Sequence, residues 1–415
     1  MHLRFATFMI AAALACVLSG HAIAATEELH VRSGLPHVSA TRDELRVAYL
    51  GGSITAAANS WRTLTTEHLR HRFPNTPLIE IAAGLPGTGS DLGVCRLERD
   101  VLRHHPDLLF VEFAVNDTNT APERIERTLE GIVRQTWRAD PRTDIFFVYT
   151  VSTPGLPDLQ AGNFPPAAEA MERVAAHYGI PSLHFGVEVA RRVAAGSLVF
   201  KDANPDDART FSLDGVHPTA AGHRVYFATL ERALDVVFDA SAPRPSELPA
   251  PLHADNWEHA QLREPDAAQL DGDWTLLESD DPNLRSISQA LLPPTWRASS
   301  PGATLTFEFT GRTFGLLGVA APDSGEFRVT VDEREPVIVT FFDAYVSPTF
   351  CRQRPWFYPE ELDDTLHRVR IELLGTELDK AAIKAQRGAS LEDPALYQPH
   401  RLTLSGVLTV DTAAR

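Results

Sequence analysis

Between residues 45 and 240 the chain alternates short apolar runs with longer amphipathic stretches. The apolar runs are residues 45–50, 78–83, 108–115, 145–151 and 181–185. Most are continuously apolar, as strands buried on both faces must be. Helical patterns lie between them at 61–73, 90–104, 122–139 and 166–178, with a last one at 220–238. Ser90 or Asp91 is placed to cap the second of these. In the last, Leu230, Leu234 and Val237 share one face. Strands alternating with helices predict a three-layer α/β/α domain over residues 40–240, built on a parallel sheet. Sites in such folds lie at the carboxyl ends of the strands, where Ser53, the loop 84–90 and Asn116 all fall.

Beyond residue 240 the pattern changes. Residues 241–255 form a Pro-rich linker, which reads as stiff and extended. From 256 to 415 helical periodicity nearly vanishes, and alternating or β-branched stretches take over at 304–309, 327–331, 337–342, 367–373 and 401–410. Gly, Asp and Pro clusters separate them, predicting a jelly-roll-like β-sandwich as a second domain.

The N-terminus reads as a targeting segment. Arg4 supplies a positive start, an apolar stretch follows, and Ala22-Ile23-Ala24 forms an A-x-A cleavage site, so residues 1–24 are expected to be a signal peptide. The alternative is a lipoprotein signal at Cys16, which has Ala13 where such signals prefer Leu. The expected location is periplasmic or extracellular, without stable membrane insertion. The formal charge of −17 disfavours nucleic acid and anionic lipid as partners, but not a neutral sugar ester. Outside the leader the cysteines are Cys95 and Cys351. They read as two isolated buried thiols or as one long-range disulfide, and a chain of 415 residues needs no such staple.

The chemistry-bearing residues stand at the ends of this pattern. Ser53 sits in Gly51-Gly52-Ser53-Ile54-Thr55, directly after the first apolar run. Asp214 and His217 form a D-x-x-H unit before the last helix. A serine hydroxyl becomes a useful nucleophile when an imidazole takes its proton, and a carboxylate fixes the imidazole tautomer. Taken singly, such features are commonly a turn or a helix cap. Together they point to a serine hydrolase.

Four blocks in order make the resemblance specific: Gly51-Gly52-Ser53-Ile54-Thr55, Ala82-Ala83-Gly84-Leu85-Pro86-Gly87-Thr88-Gly89-Ser90, Ala114-Val115-Asn116-Asp117 and Asp214-Gly215-Val216-His217-Pro218. The first domain resembles the SGNH/GDSL hydrolase superfamily of esterases and lipases. Gly52 stands where that family has Asp, and Ala114 where it usually has Gly. The resemblance implies a flavodoxin-like α/β/α domain with Ser53, Asp214 and His217 as catalytic residues. It implies an oxyanion hole made by the backbone N–H of Ser53, the N–H of Gly87 (Gly84 and Gly89 being alternatives) and the side-chain amide of Asn116. No cofactor and no metal enter such a mechanism. Asp202, Asp206 and Asp207 cluster before the last block and read as a solvated loop rather than a metal site; His223 reads as structural.

The superfamily spans many substrates, so the fold does not choose one. The leader, the appended sandwich and the polar, Pro/Gly-rich stretch 154–166 favour an acetylesterase acting on an acetylated glycan. A lipolytic esterase or lysophospholipase is the alternative, and a non-catalytic carbohydrate-binding protein a further one. The sandwich carries Trp257, Trp274, Trp296 and Trp356. Most are expected in its core or at the domain interface. Trp356, in a proline-bounded segment that reads as a loop, is the candidate for an exposed sugar platform.

Overall fold

The computed structural model describes residues 27–39, 43–240, 247–265 and 268–412. The expected leader, with Cys16, lies outside the described residues. Six strands form the first sheet: β1 (Leu29–His30), β2 (Leu45–Gly51), β3 (Leu78–Gly84), β4 (Leu108–Glu112), β5 (Asp144–Tyr149) and β6 (Ser182–His184). Their order is β1-β6-β5-β4-β2-β3. Strands β2 to β6 are parallel, and the short β1 adds an antiparallel edge. The chain leaves β2 in one direction to form β3 and returns to the other side to form β4. The crevice at that reversal is where open α/β sheets hold ligands.

Nine helices are described in this domain: α1 (Ser53–Ala56), α2 (Trp61–Arg72), α3 (Ser90–Cys95), α4 (Leu97–Asp100), α5 (Pro122–Ala139), α6 (Leu156–Gln160), α7 (Pro166–Tyr178), α8 (Phe185–Ala194) and α9 (Ala220–Asp239). Helix α5 starts at a proline, which suits the first helical position, and buries Ile125, Leu129, Ile132, Val133 and Thr136 along one face. Helix α7 stops at Gly179, whose φ of 67° few other residues would tolerate. Each sheet face carries its own core, one under α3, α5 and α7 and the other under α2, α8 and α9.

The stretch 90–104 is not one helix. It breaks into α3, α4 and a 3₁₀ turn, Leu102–His104. Between α3 and α4 lies Arg96, fully buried, whose guanidinium donates to the carbonyls of Gly51 (3.3 Å) and Ala83 (2.8 Å) and pairs with Asp100 (3.1 Å). Pinning two strand ends draws this side chain inward and interrupts the helix. The cap of α3 is Gly89 rather than Ser90 or Asp91, because the Ser90 hydroxyl is engaged with Thr128 at 2.6 Å. Strand β4 ends at Glu112, short of the residue 115 expected from the apolar run, because a turn begins at Phe113, whose carbonyl accepts the Asp117 N–H. Strands β7 (Val199–Lys201) and β8 (Thr210–Ser212) form a separate parallel pair.

The second domain is an antiparallel β-sandwich of ten strands: β9 (Ala260–Arg263), β10 (Gln269–Asp271), β11 (Thr275–Leu276), β12 (Trp296–Ala298), β13 (Thr304–Ala320), β14 (Glu326–Val331), β15 (Val337–Thr340), β16 (Arg352–Phe357), β17 (Thr365–Leu373) and β18 (Leu402–Asp411). The long β13 pairs with β17 along its first half and with β16 along its second. A register shift against β18 between Gly311 and Thr313 separates the two halves. One short helix, α10 (Lys380–Ala385), interrupts the β pattern.

Trp356 is not on a loop. It lies in β16 opposite Leu316, half-buried, with ring edges against Phe314, Phe327 and Tyr358. This corrects the expectation of an exposed loop platform: among the described residues β16 pairs only with β13, and an edge strand tolerates a proline such as Pro355. Cys95 and Cys351 are both buried and free.

The described part of the linker is strapped to the first domain. The N–H groups of Leu252 and His253 donate to the Glu130 carboxylate, and Arg134 donates to the Pro249 carbonyl. One apolar cluster then runs from Val94 and Leu97 across Trp257 and Ala260 to Leu317 and Leu408. The Arg124 guanidinium lies over the rings of both Trp257 and Phe357, at 4.8 and 4.7 Å from their centroids. Trp257 is 4 % exposed and central to this seam. Trp257→Ala should therefore destabilise the protein by about 3–5 kcal/mol, measured by chemical denaturation.

Candidate active site

Strand β2 delivers Ser53 at the first turn of α1, and the loop between β8 and α9 brings back residues 214–217. Ser53 Oγ lies 2.8 Å from His217 Nε2. His217 Nδ1 lies 2.7 Å from Asp214 Oδ2. The other Asp214 oxygen accepts the backbone N–H groups of Val216 and His217, each at 2.8 Å, and the Ser212 hydroxyl at 3.1 Å. Partial burial works against the Asp214 charge. The hydrogen bonds from the His217 ring and from the two N–H groups outweigh it and hold the carboxyl well below the ordinary range. Asp214 is thus an ionised, oriented acceptor. Its loop is fixed by Gly215, with φ +87°. The Gly215 carbonyl accepts both the N–H (2.8 Å) and the hydroxyl (3.0 Å) of Thr153.

Asn116 lies beside the serine turn. A Cβ at Gly52 would come within 1.9 Å of Asn116 Oδ1, so the Asn116 side chain lies directly on that glycine. The Oδ1 atom is buried without a hydrogen-bond partner. This contact is the physical reason Gly stands at position 52. Of the three block-two glycines, Gly84 lies under Ala56 and Gly89 against Asp117, while Gly87 is exposed, with φ +71°. Its neighbour is Arg352 of the sandwich, whose Nη1 is 3.1 Å from the Gly87 Cβ position. Arg352 is held by Asp343 at 2.7 Å and faces the ring of the exposed Tyr345. Beside Asn116 a cavity of about 230 Å³ opens between Val115, Thr118, Val151, Pro154, Pro165 and Ala168.

Other sequence candidates fall elsewhere. His223 accepts the Trp61 N–H, and burial pushes it down to about 4, with help from His217. Asp207 pairs with Arg209, and the Asp202 carboxylate accepts the Asn204 N–H. Among the described residues no cluster of three His, Cys, Asp or Glu side chains could hold a metal, and no helix is long and apolar enough to cross a membrane. Sequence reasoning missed Thr153, Arg352 and Glu112. Only Glu112 leaves a signal, as the sole charge in an otherwise apolar strand.

Residues 49–225 match the GDSL-like lipase/acylhydrolase family. The first domain is a GDSL-like acylhydrolase. The protein is accordingly a carboxylic ester hydrolase. No curated protein sequence matches the chain. Among solved structures, it is similar to a two-domain esterase (CEX) active on acetylated mannans, with 23 % identity, a TM-score of 0.71 and coverage of 91 % of this chain and 94 % of that one. The same esterase co-crystallised with mannopentaose gives 22 % identity, a TM-score of 0.68 and coverage of 90 % and 92 %. The shared fold extends over both domains of this GDSL-like hydrolase.

The Gly52 contact yields a test. The clashing atom is the end of a side chain, so Gly52→Ala should fold by displacing Asn116. With Asn116 as an oxyanion donor, the role the resemblance implies, Gly52→Ala should lose roughly 10²–10³ in kcat while its melting temperature stays near that of wild type; unchanged kcat would reject that role.

Asp117 gives a second test. Burial, chiefly, pushes its carboxyl up to about 7, against hydrogen bonds from Ser90. A raised folded pKa means that stability is lost as pH climbs from the unfolded value toward about 7. Relative to Asp117→Asn, wild type should lose stability over that interval and level off above it, as measured by denaturation at a series of pH values.

Proposed function

We propose that this hydrolase is an exported serine esterase that removes short acyl groups, chiefly acetyl, from a polysaccharide or oligosaccharide. The observation that carries the reading is the hydrogen-bonded chain from Ser53 through His217 to Asp214. Ser53 Oγ attacks the ester carbonyl as His217 Nε2 takes its proton. The carbonyl oxygen becomes an oxyanion held by the N–H groups of Ser53 and Gly87 and by the Asn116 amide. The imidazolium, steadied by Asp214, gives the proton to the departing sugar oxygen and leaves an acyl-serine. Water then attacks the acyl group, with His217 again as base, and releases acetate and free Ser53.

The glycan assignment draws on the two-domain esterase active on acetylated mannans, which shares both domains with this chain. It draws also on the approach of Arg352 to the Gly87 loop, which sets the sandwich beside the acyl site. The leader supports a periplasmic or extracellular setting.

Ser53→Ala should abolish hydrolysis of aryl acetate while leaving the fold unchanged. Residual activity within about tenfold of wild type, a loss of only ~1.4 kcal/mol, rejects Ser53 as nucleophile. Acetyl esters should be cleaved far faster than octanoyl esters, and acetate should be released from acetylated glycan. Octanoyl preference would instead identify a lipolytic enzyme, since longer chains gain about 0.8 kcal/mol per buried CH₂.

A further inference from the structure

Glu112 ends strand β4 directly opposite Gly51, the last residue of β2. It is fully buried. Its carboxylate accepts three hydrogen bonds: from the Thr55 hydroxyl at 2.8 Å, from the Thr150 hydroxyl at 2.5 Å and from the backbone N–H of Gly52. Among the described residues no arginine, lysine or histidine forms an ion pair with it. Burial raises its pKa, and the three donors oppose the rise.

A carboxyl in this place is a poor device for stability alone. Removing a carboxylate from water costs several kcal/mol unless partners compensate, and an apolar side chain would fill the same space without that cost. The three donors, however, belong to two functional segments. Gly52 and Thr55 bracket Ser53. Thr150 follows β5, and three residues later Thr153 holds the Gly215 carbonyl within the loop that carries Asp214 and His217. Glu112 therefore joins, through two hydroxyls and one N–H, the turn that presents the serine to the segment that supports the histidine. Ser53 and His217 are 164 residues apart in sequence and share a contact of 2.8 Å. A shift of one segment against the other lengthens that contact directly.

We propose that Glu112 is a positioning residue for ester hydrolysis. It touches no substrate and sets the register between the Ser53 turn and the His217 loop by accepting from Gly52, Thr55 and Thr150. The inference rests on Ser53 being the nucleophile.

The test uses the full-length protein and two readouts, steady-state kinetics on an aryl acetate and the rate of covalent labelling by a fluorophosphonate. Glu112→Gln keeps the volume but puts a donor where a hydroxyl or N–H must be accepted. It should lower kcat and the labelling rate by roughly 10- to 100-fold, with KM within about twofold, because misalignment by an ångström has effects of that order. Thr55→Val and Thr150→Val each delete one donor and should each lower both rates about tenfold or less. Thr55→Ser keeps the hydroxyl and should restore them. If Glu112→Gln melts earlier but its folded fraction labels and turns over at the wild-type rate, Glu112 is structural and the proposal fails. If Glu112→Gln does not fold, the threonine variants decide: unchanged kcat and labelling in both overturns the proposal. Wild type that fails to label at Ser53 rejects the serine reading itself, an outcome distinct from an unimpaired Glu112 variant.

Discussion

The separation of 2.8 Å between Ser53 Oγ and His217 Nε2 is the constraint on which the first domain turns. A proton moves between these atoms only at hydrogen-bond distance, and nothing local in the sequence enforces it. The parallel sheet does so by ending β2 and β4 side by side, at the reversal of strand order. Ser53 and Asn116 thereby reach the same rim from opposite directions of the winding. The histidine arrives from the far end of the domain and is fastened to the end of β5 through Thr153 and Gly215. Buried polar groups then finish what the sheet begins. Arg96 ties the ends of β2 and β3 by their carbonyls, and Asp117 holds the loop behind Gly87 by the Ser90 N–H.

The second domain is not a tethered passenger. Its apolar seam with α3 and α5, the strapped segment before β9 and the Arg124 contacts make one continuous core across the boundary. Interfaces of this kind fix relative orientation, whereas polar, hydrated ones allow domains to swing. Orientation matters here because Arg352 stands against Gly87, in the loop after β3.

Much of this was legible in the sequence. Periodicity located the five main parallel strands, and helices α5 and α7 begin and end at the predicted residues. The catalytic candidates could be read from their places at strand ends and before the last helix, and the structure brings Ser53, His217 and Asp214 together. What was not legible depends on tertiary contacts. Arg96 looks like an ordinary helix residue until two strand carbonyls draw it inward and break the helix. Trp356 looks like a loop residue because prolines bound its segment, and the edge position of β16 is what makes Pro355 acceptable in a strand. Gly52 looks like a lapse from the family pattern until the Asn116 side chain is seen lying on it. Arg352 has no local signature, because its partner, Gly87, is in the other domain.

That last contact joins the two domains at a second place, beside the loop that follows β3. The guanidinium that stands against the Gly87 loop belongs to the sandwich and is itself anchored on Asp343. With one apolar core crossing the boundary, a disturbance within the sandwich has a short path of packed side chains to the rim that carries Ser53.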